Sequence, residues 1–220
     1  DLRGGRMNAP VLDANNYDLE KIRSDFPILS RTVHGRPLVY LDNAASAEKP
    51  KQVMDAITTF VNSEYSNVHR GVHFLSAAAT TRYENARGRV QRFLNAEHED
   101  EIVWTRGGTE AINLVATSYL APLIEPGDEI VLSVMEHHSN IVPWHFLRER
   151  HGAVLKWVDV SDNGDLDPQD VARAIGPKTK LVALTHMSNV LGTQVPLKEI
   201  VRIAHEKGVP ILPSRRSWRC

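Results

Sequence analysis

The chain has 220 residues, 42% hydrophobic and 24% charged, with 26 Lys and Arg against 27 Asp and Glu and a formal net charge of −1. Balanced charge of this kind argues against nucleic acid or a membrane surface as the main partner, and no apolar run is long enough to span a bilayer. The N-terminus has no apolar core of a secretory signal, and a single cysteine, Cys220, excludes an internal disulfide framework and fits a reducing compartment, so the expectation is a cytoplasmic globular protein, one ordinary domain or a piece of a larger one.

In chain order, residues 1–6 precede Met7 and residues 8–16 are polar. A short helix is predicted over 18–24 with Asp18 as its cap. Asp25-Phe-Pro stops it, since the residue before proline avoids the helical region. Residues 32–41 carry a glycine between two apolar pieces, the pattern of a small hairpin. Helices follow over 50–65, with Val53, Ile57, Phe60 and Val61 inward, and over 76–94. From residue 101 strand and helix alternate. Strands are predicted at 101–105, 129–134, 153–158, 181–185 and 209–212, and helices at 109–120, 141–150, 168–175 and 197–207. The strand at 129–134 is almost continuously apolar, as when both faces are covered. This alternation predicts an α/β fold with a mainly parallel sheet and helices on both faces.

Between the strand at 101–105 and the helix at 109–120 sits Gly107-Gly108, followed by Thr109 in the expected N-cap position. Two glycines let the backbone turn tightly and approach a ligand with no Cβ in the way. A helix N-terminus offers N–H groups and a partial positive charge, so strand, glycine turn, hydroxyl and helix make a ready phosphate site. A well-capped turn with no ligand is the other reading, and this stretch alone leaves both open. Ligands of open α/β sheets bind outside the carboxyl ends of the strands. Three polar clusters belong there: 106–109, 136–140 and 186–189.

His137 and His138 raise the question of a metal, and His69 and His73 are four apart. No HExxH pattern and no second cysteine accompany them, so no metal site is expected. A flat histidine beside a phosphate turn suits stacking on an aromatic ligand; a hydrogen-bonded loop histidine is the alternative. The chain has no G-x-S-x-G elbow, no Walker loop and no G-x-G-x-x-G fingerprint.

Five ordered blocks carry a resemblance: Tyr40-Leu-Asp-Asn-Ala-Ala-Ser46, Asn67-Val-His-Arg-Gly71, Arg106-Gly-Gly-Thr-Glu-Ala-Ile-Asn-Leu-Val115, Met135-Glu-His-His-Ser-Asn-Ile-Val-Pro-Trp144 and Thr185-His-Met-Ser-Asn-Val-Leu-Gly192. From about residue 25 to 212 the chain resembles the SUF-type cysteine desulfurases of the class V aminotransferase family. The resemblance implies the pyridoxal 5′-phosphate-dependent transferase architecture of fold type I. It implies that Gly108 and Thr109 hold the cofactor phosphate, that His137 stacks on the pyridine ring, and that Asn189 lies near both cofactor and substrate. It further implies that Ala44, Ala45, His69 and Arg70 line the mouth of the active site, partly across a homodimer interface. The implied reaction removes sulfur from L-cysteine, giving L-alanine and an enzyme persulfide that supplies iron–sulfur cluster assembly through a sulfur-acceptor protein of the SUF system. The cofactor carries the hard chemistry; the protein supplies orientation and charge.

The family pattern continues with a V-D-G-A-Q segment whose Asp pairs with the pyridine nitrogen. Here Leu212 is followed by Pro213-Ser-Arg-Arg-Ser-Trp-Arg-Cys220, with no Asp and no Gln. The lysine that bonds the cofactor, the sulfur-accepting cysteine of a mobile loop and the arginine for the substrate carboxylate are also not matched, and nothing around Cys220 fits the catalytic loop. The expected layout is an N-terminal extension with a short helix over 1–24, an N-terminal arm with an incomplete large domain over 25–212, and an aberrant tail over 213–220. Codons such as CGA CGG AGC TGG CGG TGC for the last six residues read as Asp-Gly-Ala-Gly-Gly one base later, so a frameshift is expected. On these grounds the chain is expected to be inactive and aggregation-prone by itself. A non-catalytic fragment that pairs with a full-length subunit, and a selenocysteine lyase or kynureninase-like enzyme, are the alternatives.

Overall fold

A computed structural model describes residues 17–43 and 45–214. Ala44, most of the predicted N-terminal extension and Cys220 lie outside the described residues. The chain divides into two units, residues 1–102 and 103–220, each taken here by itself.

In the first unit α1 (Leu19–Ser24) begins at Asp18, whose carboxylate accepts the Lys21 N–H at 2.9 Å, an ordinary N-cap. The predicted hairpin is a short antiparallel pair, β1 (Thr32–Val33) and β2 (Arg36–Pro37), turned by His34 and Gly35 at φ 51 and 76. Helix α2 (Lys51–Ser63) forms as its spacing predicts, but the expected inward face is not buried. Val53, Ile57 and Val61 are exposed and Phe60 is half-buried. The periodicity set the helix correctly; nothing among the described residues covers the stripe it creates. Helix α3 (Phe74–Leu94) starts two residues earlier than predicted, with His73 as its cap, and ends in Asn95, which takes the left-handed conformation with φ 56.

The second unit is built on a four-stranded parallel sheet in the order β4-β3-β5-β6. Its strands are β3 (Glu129–Ser133), β4 (Val154–Val158), β5 (Thr179–Thr185) and β6 (Ile211–Ser214). Side chains alternate across a strand, and this divides the core in two. Ile130, Leu132, Leu181 and Ala183 pack on one face with Ile112, Ala116, Leu120, Trp144 and Leu147. Val131, Val182 and Leu184 pack on the other with Val171, Ile200, Ile203 and Ala204. Helices α4 (Gly108–Leu114) and α5 (Val142–His151) thus cover one face, and α6 (Pro168–Ala174) and α7 (Leu197–Glu206) the other. The predicted doubly covered parallel sheet, a partial type I fold, is the one observed.

Three further features differ from expectation. Residues 101–105 form no strand: Glu99–Glu101 is a 3-10 turn and Ile102 is extended without a ladder partner. β-branched and aromatic composition favours a pleated surface, but a strand needs a neighbour to pair with. The helix after the glycines changes pitch, becoming a π-helical turn over Val115–Leu120 in which the Ala121 N–H reaches the Ala116 carbonyl at 2.9 Å. Strand β6 runs through Pro213 and Ser214, opposite Leu184 and Thr185, two residues past the predicted end. Proline is accommodated because β6 is the outer strand. Among the described residues no helix is long and apolar enough to cross a membrane.

Candidate functional site

The turn before α4 is open. Gly107 is the N-cap and Gly108 the first helical residue, so Thr109 lies inside the first turn rather than at the predicted cap. The shift has a local cause. The Glu110 carboxylate reaches back to accept the Arg106 N–H at 2.5 Å, and the Thr105 hydroxyl donates to the Gly107 carbonyl at 3.2 Å, so the start is fixed ahead of Thr109. A Cβ placed on Gly107 or Gly108 would meet nothing within 4 Å. Neither glycine is required by packing within the described chain. Arg106 to Glu110 border an open recess of about 610 Å³, and the first-turn N–H groups have no intrahelical acceptor.

Helix α4 packs against the 3-10 turn His138–Asn140, which follows β3. His137 caps that turn: its Nδ1 accepts the Ser139 N–H at 3.0 Å, with the Ser139 hydroxyl at 2.9 Å. A backbone N–H can only donate, so the proton of the neutral ring is on Nε2. The ring is half-buried, while His138 is exposed. Stacking on a flat phosphorylated ligand calls for an oriented, half-buried ring and an open glycine turn, and both are present. The structure thus places Gly108 and Thr109 at the start of a helix that packs against the turn capped by His137.

Beside His137, Glu136 is buried, 8% exposed. Its Oε1 accepts from the Ser133 hydroxyl at 2.6 Å and from the Thr185 N–H at 2.9 Å; its Oε2 accepts from the Asn140 amide at 2.7 Å. Burial raises its pKa above the ordinary 4.5, against the opposing pull of the three donors. In the sequence Glu136 stands in a polar segment, and its residue type alone assigns it no role. The available signal is a carboxylate shortly after an apolar strand, with Asn140 and Trp144 following at four-residue steps.

Asn189 lies in the loop after β5 and is exposed. Ser188 shapes that loop, its hydroxyl accepting the Leu191 N–H at 3.1 Å and its carbonyl the Gly192 N–H at 3.0 Å. The remaining expected residues belong to the first unit. Ala45 is in a turn, its N–H donating to the Asp42 carbonyl at 3.1 Å. His69 adopts φ 60, its Nε2 stands 2.7 Å from the Glu84 carboxylate, and its N–H donates to the Thr80 hydroxyl at 3.0 Å. A non-glycine residue with positive φ is uncommon and marks a position worth a functional test. Arg70 is exposed.

The cysteine desulfurase of Dickeya dadantii is 48% identical over 206 residues, covering 94% of this chain and 49% of the relative. That of Salmonella gallinarum is 50% identical over 196 residues, covering 89% and 48%. The chain thus spans about half the length of the curated relatives it matches. Among solved structures, the Escherichia coli cysteine desulfurase CsdA superimposes with a TM-score of 0.78 at 38% identity, over 90% of this chain and 48% of that one. The apo cysteine desulfurase of Thermococcus onnurineus NA1 does so with a TM-score of 0.82 at 36% identity, over 89% and 46%. The family model described as aminotransferase class-V matches residues 39–212, a span that holds the glycine turn, His137 and Asn189, and the chain belongs to the class-V aminotransferase family.

Proposed function

We propose that this chain carries the cofactor-binding segment of a SUF-type cysteine desulfurase, which takes sulfur from L-cysteine and passes it to an acceptor protein for iron–sulfur cluster assembly. The observation that supports the proposal is an open glycine turn at the start of a helix that packs against the turn capped by an oriented His137, in a chain 48–50% identical to curated cysteine desulfurases. Pyridoxal 5′-phosphate is the cofactor of the family, and when bound it supplies an electron sink. In this reading the first-turn N–H groups and Thr109 hold the phosphate, His137 lies against the ring, and Asn189 reaches its substrate side. Ala44, Ala45, His69 and Arg70 line the mouth, in a cytoplasmic homodimer. The 220 residues contain no Ser-Gly-His-Lys segment, so assayed by themselves they bind the cofactor without turning over L-cysteine.

Equilibrium dialysis against pyridoxal 5′-phosphate tests this. About one cofactor is retained per chain, and His137→Ala loses most of it. Equal retention by both proteins would remove His137 from the site, and L-alanine formed from L-cysteine by the 220 residues alone would overturn their inactivity.

A second reading, a non-catalytic segment that pairs with a complete subunit, is favoured by the exposed apolar stripe of α2, formed by Val53, Met54, Ile57 and Val61. Co-expression with a tagged full-length cysteine desulfurase tests it, since a paired chain elutes with the tagged subunit and an unpaired one does not.

A further inference from the structure

The buried polar cluster next to the site has a definite donor and acceptor order. Trp144 is fully buried, and its indole N–H, which can only donate, reaches Asn140 Oδ1 at 3.1 Å. That contact turns the Asn140 amide so that its NH₂ faces Glu136 Oε2 at 2.7 Å. The other carboxylate oxygen takes the Ser133 hydroxyl from the end of β3 and the Thr185 N–H from the end of β5. The three groups that bond Glu136 are thus all donors, and so is the indole that bonds Asn140 Oδ1. The backbone closes the same loop, with the Asn140 N–H donating to the His137 carbonyl at 2.7 Å. His137 is held between the two ends of this clasp.

We propose that Glu136 is the positioning residue for His137: its carboxylate locks the ends of β3 and β5 to the 137–140 turn, so that the Ser139 N–H is presented to His137 Nδ1 and the ring keeps one orientation and one tautomer. The inference rests on the reading of His137 as the ligand-facing ring, but its test needs no ligand. A general polar filler would serve stability only. A clasp whose order runs from Trp144 through Asn140 to Glu136 also fixes the angle of the neighbouring ring.

The order can be reversed without changing shape. Glu136→Gln places an NH₂ against the NH₂ of Asn140 and breaks the run. Adding Asn140→Asp restores it, because the amide introduced at position 136 then donates to the carboxylate introduced at position 140, which still accepts from Trp144. The ring nitrogens of His137 report the result by ¹⁵N NMR of the 220-residue chain, since a nitrogen that accepts and one that bears the proton are well separated. The wild type shows a single tautomer with the proton on Nε2. Glu136→Gln shows a mixture and loses exchange protection at the Trp144 indole N–H, and Glu136→Gln with Asn140→Asp regains both signatures. An unchanged His137 signal in folded Glu136→Gln overturns the proposal. So does a double variant that fails to restore it, and if the single variant does not fold, the double variant alone decides. Retention of pyridoxal 5′-phosphate is measured in parallel and falls about tenfold in Glu136→Gln, as when the outer partner of a ligand-holding group is lost. If no protein, wild type included, retains the cofactor while the tautomer pattern behaves as stated, the functional reading fails and the positioning role stands.

Discussion

Gly152 ends α5 in the left-handed conformation, φ 72, directly against Pro126: a Cβ added to Gly152 would lie 3.2 Å from the Pro126 Cα. The two segments are also tied by the Gly127 N–H, which donates to the Gly152 carbonyl at 2.9 Å. Left-handed geometry costs a residue with a Cβ about 1–2 kcal/mol, and here the neighbour is backbone, which cannot swing aside. Gly152→Ala is therefore expected to destabilise the protein by about 1–3 kcal/mol, read as a lower urea midpoint with an unchanged slope.

At Gly108 the expectation reverses. The site has open space and no positive φ, so Gly108→Ala gains helix propensity, about 1 kcal/mol. The same methyl intrudes where a phosphate would approach the backbone. Higher stability together with weaker retention of pyridoxal 5′-phosphate is the expected pair of results in melting and dialysis. Retention equal to the wild type would show that the ligand does not approach Gly108.

In the core, Ile200 of α7 is fully buried among Val171, Val182 and Leu184. Ile200→Ala removes buried methyl and methylene groups and leaves a cavity, a change that costs about 2–5 kcal/mol. Chemical denaturation followed by tryptophan fluorescence measures it.

The exposed stripe of α2 gives the opposite result. Ile57 is 53% and Val61 56% exposed. Replacing both with Lys is expected to alter the melting free energy by less than about 0.5 kcal/mol per site. Light scattering of concentrated samples should fall, because the apolar patch is broken.

Glu136 sets a pH dependence whose sign is opposite to that of a salt-bridged carboxylate. Burial raises its folded-state pKa above 4.5, so the folded chain binds this proton more tightly than the unfolded chain does. The stability it contributes is fully present below about pH 4.5 and is lost as pH rises through the folded-state value. Glu136→Gln does not titrate. The stability of the wild type minus that of the variant should decline as pH rises from about 4.5, measured by paired thermal melts. A difference that grows with pH in that range would show that the three donors outweigh desolvation and that the pKa is not raised.

What could be read from the residues alone followed how local the cause was. Strands β3 and β5 were visible because both of their faces are buried, which makes Ile130 to Leu132 and Leu181 to Leu184 unbroken apolar runs. The cap at Asp18 was legible because a few neighbouring atoms decide it. Residues 101–105 had the composition of a strand, yet whether they pair depends on a neighbour elsewhere in the chain. Val53, Ile57 and Val61 marked a helix face correctly and said nothing of what covers it. At the site, Gly108, Thr109 and His137 stood out by residue type. Glu136 did not, because its three donors come from Ser133, Asn140 and Thr185, and the last is joined only when β3 and β5 lie side by side.

The π-helical turn over Val115–Leu120 bears on how this segment tolerates changes of length. One residue of an α-helix advances the side-chain direction by about 100°. Removing one residue from that stretch would relax it toward regular pitch and leave the apolar composition almost unaltered. With Leu120 still seated in the core, one residue fewer at about 100° per residue sweeps nearly the same total angle as the wider π pitch, so the end that carries Gly108 and Thr109 would keep its direction. The wide turn is thus a spare residue between a buried anchor and an exposed tip: one deletion there should be absorbed, and only a second should misdirect the tip.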